Sequence, residues 1–190
     1  ESDGVTLSDS TVTGQLDLAT GGATVIGALT ATSQTVNLTL GGALTDGDAD
    51  AAGADTTVNV TADTLNLLGN QAVTDIETAV GTLGLTSAAT SITESDGVTL
   101  SDSTVTGQLD LSAGATVLNN LNAGSNAVNI AVSGAITDGN DDTAGNNITA
   151  GVLTITGNQA VTGIETAVTT LDLTTAATSI TESDGVTLSD

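Results

Sequence analysis

The stretch ESDGVTLSDSTVTGQLDL, Glu1–Leu18, returns residue for residue as Glu94–Leu111, and its first nine residues return again as Glu182–Asp190. The text between these copies repeats as well. Gly69–Asp102 and Gly157–Asp190 agree at 30 of 34 positions, the exceptions being Asp75/Gly163, Gly81/Thr169, Gly84/Asp172 and Ser87/Thr175. Self-similarity at a fixed period is how repeat architectures announce themselves in sequence. The chain therefore divides into tandem units of residues 1–93 and 94–181, with 182–190 opening a third, and reads as one continuous array. No initiator Met, basic leader or cleavage site opens it, so it reads as an interior piece of something longer.

Within a unit, large aliphatics alternate with polar residues over short stretches: QLDL ending at Leu18, VNLTL at Leu40, TLNLL around Leu67 and TLGLT around Leu85. Period-2 alternation marks strands with one buried face. The run VTDIETAV, Val73–Val80, carries a weak helical stripe, but Thr, Val and Asp are poor helix formers, and strand, corner, strand is expected there. The marks from Leu18 to its copy Leu111 predict about four stacked rungs per unit, and in the second unit Val132, Ile155 and Leu173 take up the same roles. Length differs between the units mainly around DGDADAAGAD, Asp46–Asp55, whose counterpart is DGNDDTAGNN, Asp138–Asn147, and these Asp/Gly-rich stretches read as loops. The fold expected is all-β, a parallel β-solenoid. The alternative is a string of immunoglobulin-like sandwiches of about 90 residues each, which ordinarily use buried aromatics and regularly spaced strands.

Composition narrows the function. The 190 residues hold 23 Asp and Glu but no Lys, Arg or His, giving a net charge of -23. Nucleic acid is excluded as a partner, because affinity for phosphates comes from Lys and Arg displacing counterions. Without Cys or His, zinc, haem and iron-sulfur sites lose their usual ligands, and only hard, oxygen-seeking cations remain. No uncharged run is apolar enough to be a membrane-spanning helix, so no membrane insertion is expected. Leu, Ile and Val together number 47 and Thr 38, too strand-prone a mixture for a disordered chain.

The Gly/Thr/Asn/Ala-rich, aromatic-free text, with phrases such as GALTDG, LTITGNQAVTGIETAV and TLDLTTAATSITESDG, resembles the β-helical repeats of filamentous-haemagglutinin-like adhesins and other giant bacterial surface proteins. The resemblance spans the whole chain and rests on repeat grammar. It implies a right-handed parallel β-helix at the cell exterior, serving as rod, stalk or fibre, and carries over no site residues.

Asp46, Asp48 and Asp50 form D-x-D-x-D, and Asp138, Asn140 and Asp142 form D-x-N-x-D at the same place in the second unit. Oxygen ligands at alternate loop positions suit Ca2+. The match to a calcium-loop signature is partial, since Ala51 or Thr143 stands where Gly belongs and Thr57 or Thr149 where the bidentate Glu belongs. The bland reading is a solvated acidic loop. Glu94, Ser95 and Asp96 read as a polar turn, and Glu77 and Glu165 as half-buried structural carboxylates. The sequons at Asn37, Asn59 and Asn147 are no more than chance gives in so Asn- and Thr-rich a chain.

No Ser or Thr has a His or Lys to activate it, and no aromatic platform accompanies the carboxylates, so no enzyme activity is expected. The function expected is a structural segment of an extracellular bacterial fibre or adhesin stalk. Its partners would be further copies of itself, end to end or side by side, and divalent cations. A calcium-dependent module binding glycans or another surface is the alternative.

Overall fold

The computed structural model describes residues 1–48, 57–140 and 145–189. Among these there is no helix, and therefore none long and apolar enough to cross a membrane. Every strand pairing is parallel and joins one stretch of chain to the next turn. A sandwich of antiparallel sheets is ruled out, and the chain is a parallel β-solenoid.

Val5, Thr24, Leu44, Val73, Thr90, Leu109, Val128, Leu153, Leu171 and Leu188 lie one above another, ten levels and nine turns among the described residues. The first turn consists of Val5–Leu7, Ser10–Thr11 and Leu16–Thr20, three short strands with corners between them. Alternation sends every second side chain inward, where like stacks on like. Val36, Leu65, Leu83, Leu100 and Leu118 make one buried column, and Ile76, Ile92, Leu111, Ile130 and Ile155 another. The interior is filled by Leu, Ile, Val and Ala with a few Thr, and the chain has no aromatic residue. At the corner Gly69-Asn70, with its copy Gly157-Asn158, all four residues have positive φ, and a methyl group on Gly69 would overlap the Leu40 carbonyl of the turn below.

The repeated sequence gives an internal control on what stacking contributes. Leu100, Val105, Leu109 and Leu111 are at most 2 % exposed, whereas their identical copies Leu7, Val12, Leu16 and Leu18, in the first turn, are only partly buried. The difference is the layer beneath. Full burial of each such side chain is worth about 1.5–3 kcal/mol, so adjoining units stabilise each other substantially.

One unit is not a whole number of turns. Four turns from Val5 lead to Thr90, but the copy of Val5 is Val98, about half-way round the next turn, which closes at Leu109. Each unit thus makes close to four and a half turns rather than four, and two units almost close on nine: Val186, the second copy of Val5, falls two residues short of Leu188. Leu18, Leu38, Leu67 and Leu85 form a single column, as the alternation predicts, with Leu38 in the place expected for Leu40. Leu111, however, stands on Ile92 in a different column, with Ile130 above it rather than Val132.

The half turn is produced by moving a corner. One corner runs up the rod past Gly27 and Gly47 to Asp75, where φ is 49° and the register of Val73–Ser87 against Thr90–Glu94 shifts. This is the bend expected inside VTDIETAV. On the next level Thr90–Glu94 runs through without a corner. A new one opens on the opposite side at Ser101-Asp102, dividing Val98–Leu100 from Ser103–Val105 where the strand below had been straight.

Inward-facing threonines need partners. Thr24 Oγ1 lies 3.0 Å from Thr20 Oγ1 and Thr90 Oγ1 2.7 Å from Ser87 Oγ. Thr116 is fully buried and its hydroxyl has no partner, because Ala113 occupies the position of Thr20 in the second unit. Thr116→Val should therefore stabilise the protein by about 1 kcal/mol, raising Tm in thermal unfolding followed by circular dichroism. Thr24→Val, which breaks a bond, should give no such gain.

Candidate functional site

The acidic loops leave the rod from the ends of two equivalent strands, Leu44–Asp46 and Ile136–Asp138. Asp46 Oδ1 accepts the N–H of Asp48 at 2.8 Å, and Asp138 Oδ1 accepts that of Asn140 at 2.8 Å, each closing an Asx turn. The alternate oxygens that suggest a cation begin here: Asp46, Asp48, Asp138 and Asn140 are described, while Asp50 and Asp142 lie outside the described residues. Among the described residues no three acidic side chains converge where an ion would sit. Asn140 Nδ2 donates to the Asn119 carbonyl at 2.8 Å, and its Oδ1 is shut off from solvent without a hydrogen-bond partner.

What anchors each loop is an asparagine that the sequence offered only as a sequon. Asn59 is completely buried and ties three levels together. Its Nδ2 donates to Asp46 Oδ1 at 2.7 Å and to the carbonyls of Gly27 (3.1 Å) and Ile26 (3.3 Å) one turn below, while its Oδ1 accepts the Glu77 N–H, 2.8 Å away, one turn above. Asn147 repeats this with Asp138, Leu118, Asn119 and Glu165. The first aspartate of each acidic motif thus serves as a loop anchor through one oxygen. Both amides are inaccessible, so neither sequon can accept a glycan in the folded chain. Asn37 instead lies in an outward ladder. Glu77 and Glu165, expected to be half buried, are 9 % exposed and half buried respectively.

Polar ladders line the two flat sides. On one, Gln15 donates to Asp17 at 2.9 Å, Asn37 to Asp17 at 2.6 Å and Asn66 to Asn37 at 2.7 Å. These bonds, that from Asn37 foremost, hold Asp17 below the usual carboxylate range. The same ladder recurs on the other side with Gln108, Asp110 and Asn129. There Ser91, Asp110, Asn129 and Thr154 line a shallow open depression. Because of the half turn, the loop at Asp46 lies in the column of Asp75, Ser91 and Asp110, and the loop at Asp138 in that of Asp17, Asn37, Asn66 and Ser101. The two acidic loops leave from opposite sides of the rod.

The repeated nonapeptide sits where the corner moves, and its side chains repair the backbone there. Glu94 is 4 % exposed, its Oε2 accepting Thr78 Oγ1 (2.8 Å) and the Val80 N–H (3.0 Å) and its Oε1 the Asp96 N–H (3.1 Å). Nine residues on, Ser103 Oγ accepts the Leu85 N–H at 3.0 Å beside the new corner. Glu182 binds Thr166 and Val168 in the same way. The turn reading of Glu94, Ser95 and Asp96 therefore holds, with Glu94 reaching back into the core beneath it. Burial pushes the Glu94 carboxyl above its ordinary range, against the bonds from Thr78, Asp96 and Val80.

Comparison with known protein families, with curated proteins and with solved structures gave no match. Buried polar groups join levels, and outward ones form ladders.

Asn59→Ala should cost about 3 kcal/mol, since it strands the Glu77 N–H and removes the loop anchor; chemical denaturation of the variant measures it, and a loss near zero would refute the anchoring role. For Glu94, a raised folded pKa means that the folded state binds the proton more tightly. Its contribution is full below the unfolded value near 4.5 and is lost as pH rises through the raised value. The stability of the wild type relative to Glu94→Gln should accordingly fall as pH rises above the ordinary value near 4.5, measured as paired thermal melts.

Proposed function

We propose that the chain is a structural repeat segment of a long extracellular bacterial fibre or adhesin stalk, one that associates with copies of itself and is steadied by divalent cations, Ca2+ foremost. The observation that carries this reading is the uninterrupted core: identical leucines are buried where one unit lies on another and partly bare where none lies beneath. A protein whose units complete one another is suited to length rather than to a single site. The family resemblance supplies the exterior location, and the absence of any Lys or Arg removes every trypsin site. No catalytic role is assigned.

Charge supports the cation. Two units carry 20 carboxylates over nine turns, so at about 4.8 Å per level they spread one charge over roughly every 2 Å, near the density of double-stranded DNA. With no basic side chain to offset it, repulsion along the rod is relieved by counterions. The Asx-turned loop bases and the shielded Asn140 Oδ1 are oxygens of the kind Ca2+ takes.

Two measurements test the reading. Millimolar Ca2+ should raise Tm and chelation should lower it again; a melt indifferent to both removes the cation. Electron microscopy of assembled material should show thin straight filaments with an axial spacing of about 4.8 Å and a unit rise near 22 Å, and antibody should label unpermeabilised source cells. Isolated globular particles, or signal only after permeabilisation, would overturn the fibre.

A further inference from the structure

An aspartate followed by glycine can close a ring on its own backbone, because glycine has no side chain to keep its nitrogen away from the preceding carboxyl. The chain contains this pair five times, and Asp46-Gly47, Asp96-Gly97 and Asp138-Gly139 stand with turns both above and below them. Ring closure needs a carboxyl free to turn and a backbone N–H free to give up its proton. Two of these pairs are held shut. Gly47 N–H donates to the Ile26 carbonyl at 2.6 Å and Gly139 N–H to the Leu118 carbonyl at 2.8 Å. Their carboxylates are pinned as well, Asp46 by Asp48 and Asn59, and Asp138 by Asn140 and Asn147.

Asp96-Gly97 differs on every count. Both residues are exposed. The backbone around them is tied down: Ser95 N–H donates to the Thr78 carbonyl at 2.8 Å, Asp96 N–H to Glu94 Oε1 at 3.1 Å, Gly114 N–H to the Asp96 carbonyl at 2.7 Å and Val98 N–H to the Ala115 carbonyl at 2.9 Å. Among the described residues, Gly97 N–H has no acceptor and the Asp96 carboxylate no donor. The corner is fixed on both flanks while the peptide between Asp96 and Gly97 is left to water.

We propose that Asp96-Gly97, at the junction between units, is a modification site at which the rod ages to isoaspartate. The Gly97 nitrogen bonds to Asp96 Cγ. A carboxylate oxygen leaves as water, carrying the Gly97 proton and one proton from solution, and a succinimide remains. Water then opens the ring at either carbonyl and the solution proton is returned, giving aspartate again or isoaspartate, so no oxidant and no co-reactant besides water takes part. Isoaspartate routes the main chain through the former side chain and lengthens the corner by one carbon. It does so directly before Val98 and Leu100, which are 3 % and 1 % exposed, and where a methyl group on Gly97 would already lie 2.9 Å from the Ala115 carbonyl.

The test is to age the folded chain for weeks at neutral pH, then unfold it and digest it with an endoproteinase that cuts before aspartate but not before isoaspartate. A missed cut at residue 96 leaves the peptide Asp75–Ser101 whole, and missed cuts at 46 and 138 leave Asp17–Gly47 and Asp110–Asn140. Asp75–Ser101 should accumulate, and accept labelled methyl groups from an isoaspartyl methyltransferase, about tenfold faster than the other two, the factor set by a held N–H and a pinned carboxylate. In concentrated guanidinium all three should accumulate alike. The same span from Asp96→Glu, aged folded, should take no label. Equal rates at the three pairs in the folded chain overturn the selection, and labelled Asp75–Ser101 that forms only in guanidinium overturns the site. Either result leaves the fibre reading untouched, since the chemistry does not depend on assembly.

Discussion

Everything in this molecule depends on each level presenting its backbone N–H and C=O groups to the levels above and below in parallel register. A buried peptide group without a partner costs about as much as a hydrogen bond returns, so the rod can change its cross-section only where a side chain takes over the missing bond. The corner moves across the rod at the unit junction, and there Glu94 receives the Val80 N–H and Ser103 the Leu85 N–H. Where a loop of variable length interrupts the ladder, Asn59 and Asn147 join the levels instead. Glu94, Ser103 and the two asparagines thus let the backbone break its own rule.

The second constraint is the narrow interior. Stacking sets each inward residue between its counterparts one turn up and one turn down, which favours aliphatics of similar size and punishes a polar atom that loses its neighbour. Thr116 shows the penalty in its simplest form: its counterpart Thr24 has a hydroxyl to meet, and one Thr to Ala difference at position 113 removes it. Outside, the same stacking aligns Gln, Asp and Asn into ladders that satisfy one another, so that Asp17 remains ionised more readily than an isolated carboxyl.

Much of this was legible from the residues. The tandem repeat, the short alternating stretches, the placement of the variable loops and the bend within Val73–Val80 all follow from local patterns that the fold obeys. The half turn was not, because a repeat in sequence carries no information about how far round the axis one copy brings the chain. The choice of Leu38 over Leu40 was also hidden: both point inward, and the lengths of the corners decide which stands above Leu18. Asn59 looked like a sequon because burial cannot be read from three residues. Its place at the far end of the acidic loop, directly before the next strand, kept by Asn147 although that loop is four residues shorter, was the available signal. Glu94 could have been noticed as a carboxylate that opens every copy of an otherwise turn-like motif.

A filament in which each unit is turned half-way round from the last possesses an approximate two-fold screw axis. Whatever tendency one unit has to bend, through a bulky loop on one flank or crowded carboxylates on another, is opposed by the next unit facing the other way. Curvature cancels over every pair, and so does the transverse component of the electric field. Straightness then requires no residue devoted to stiffness, and opposite sides of the solenoid carry the same features one unit apart.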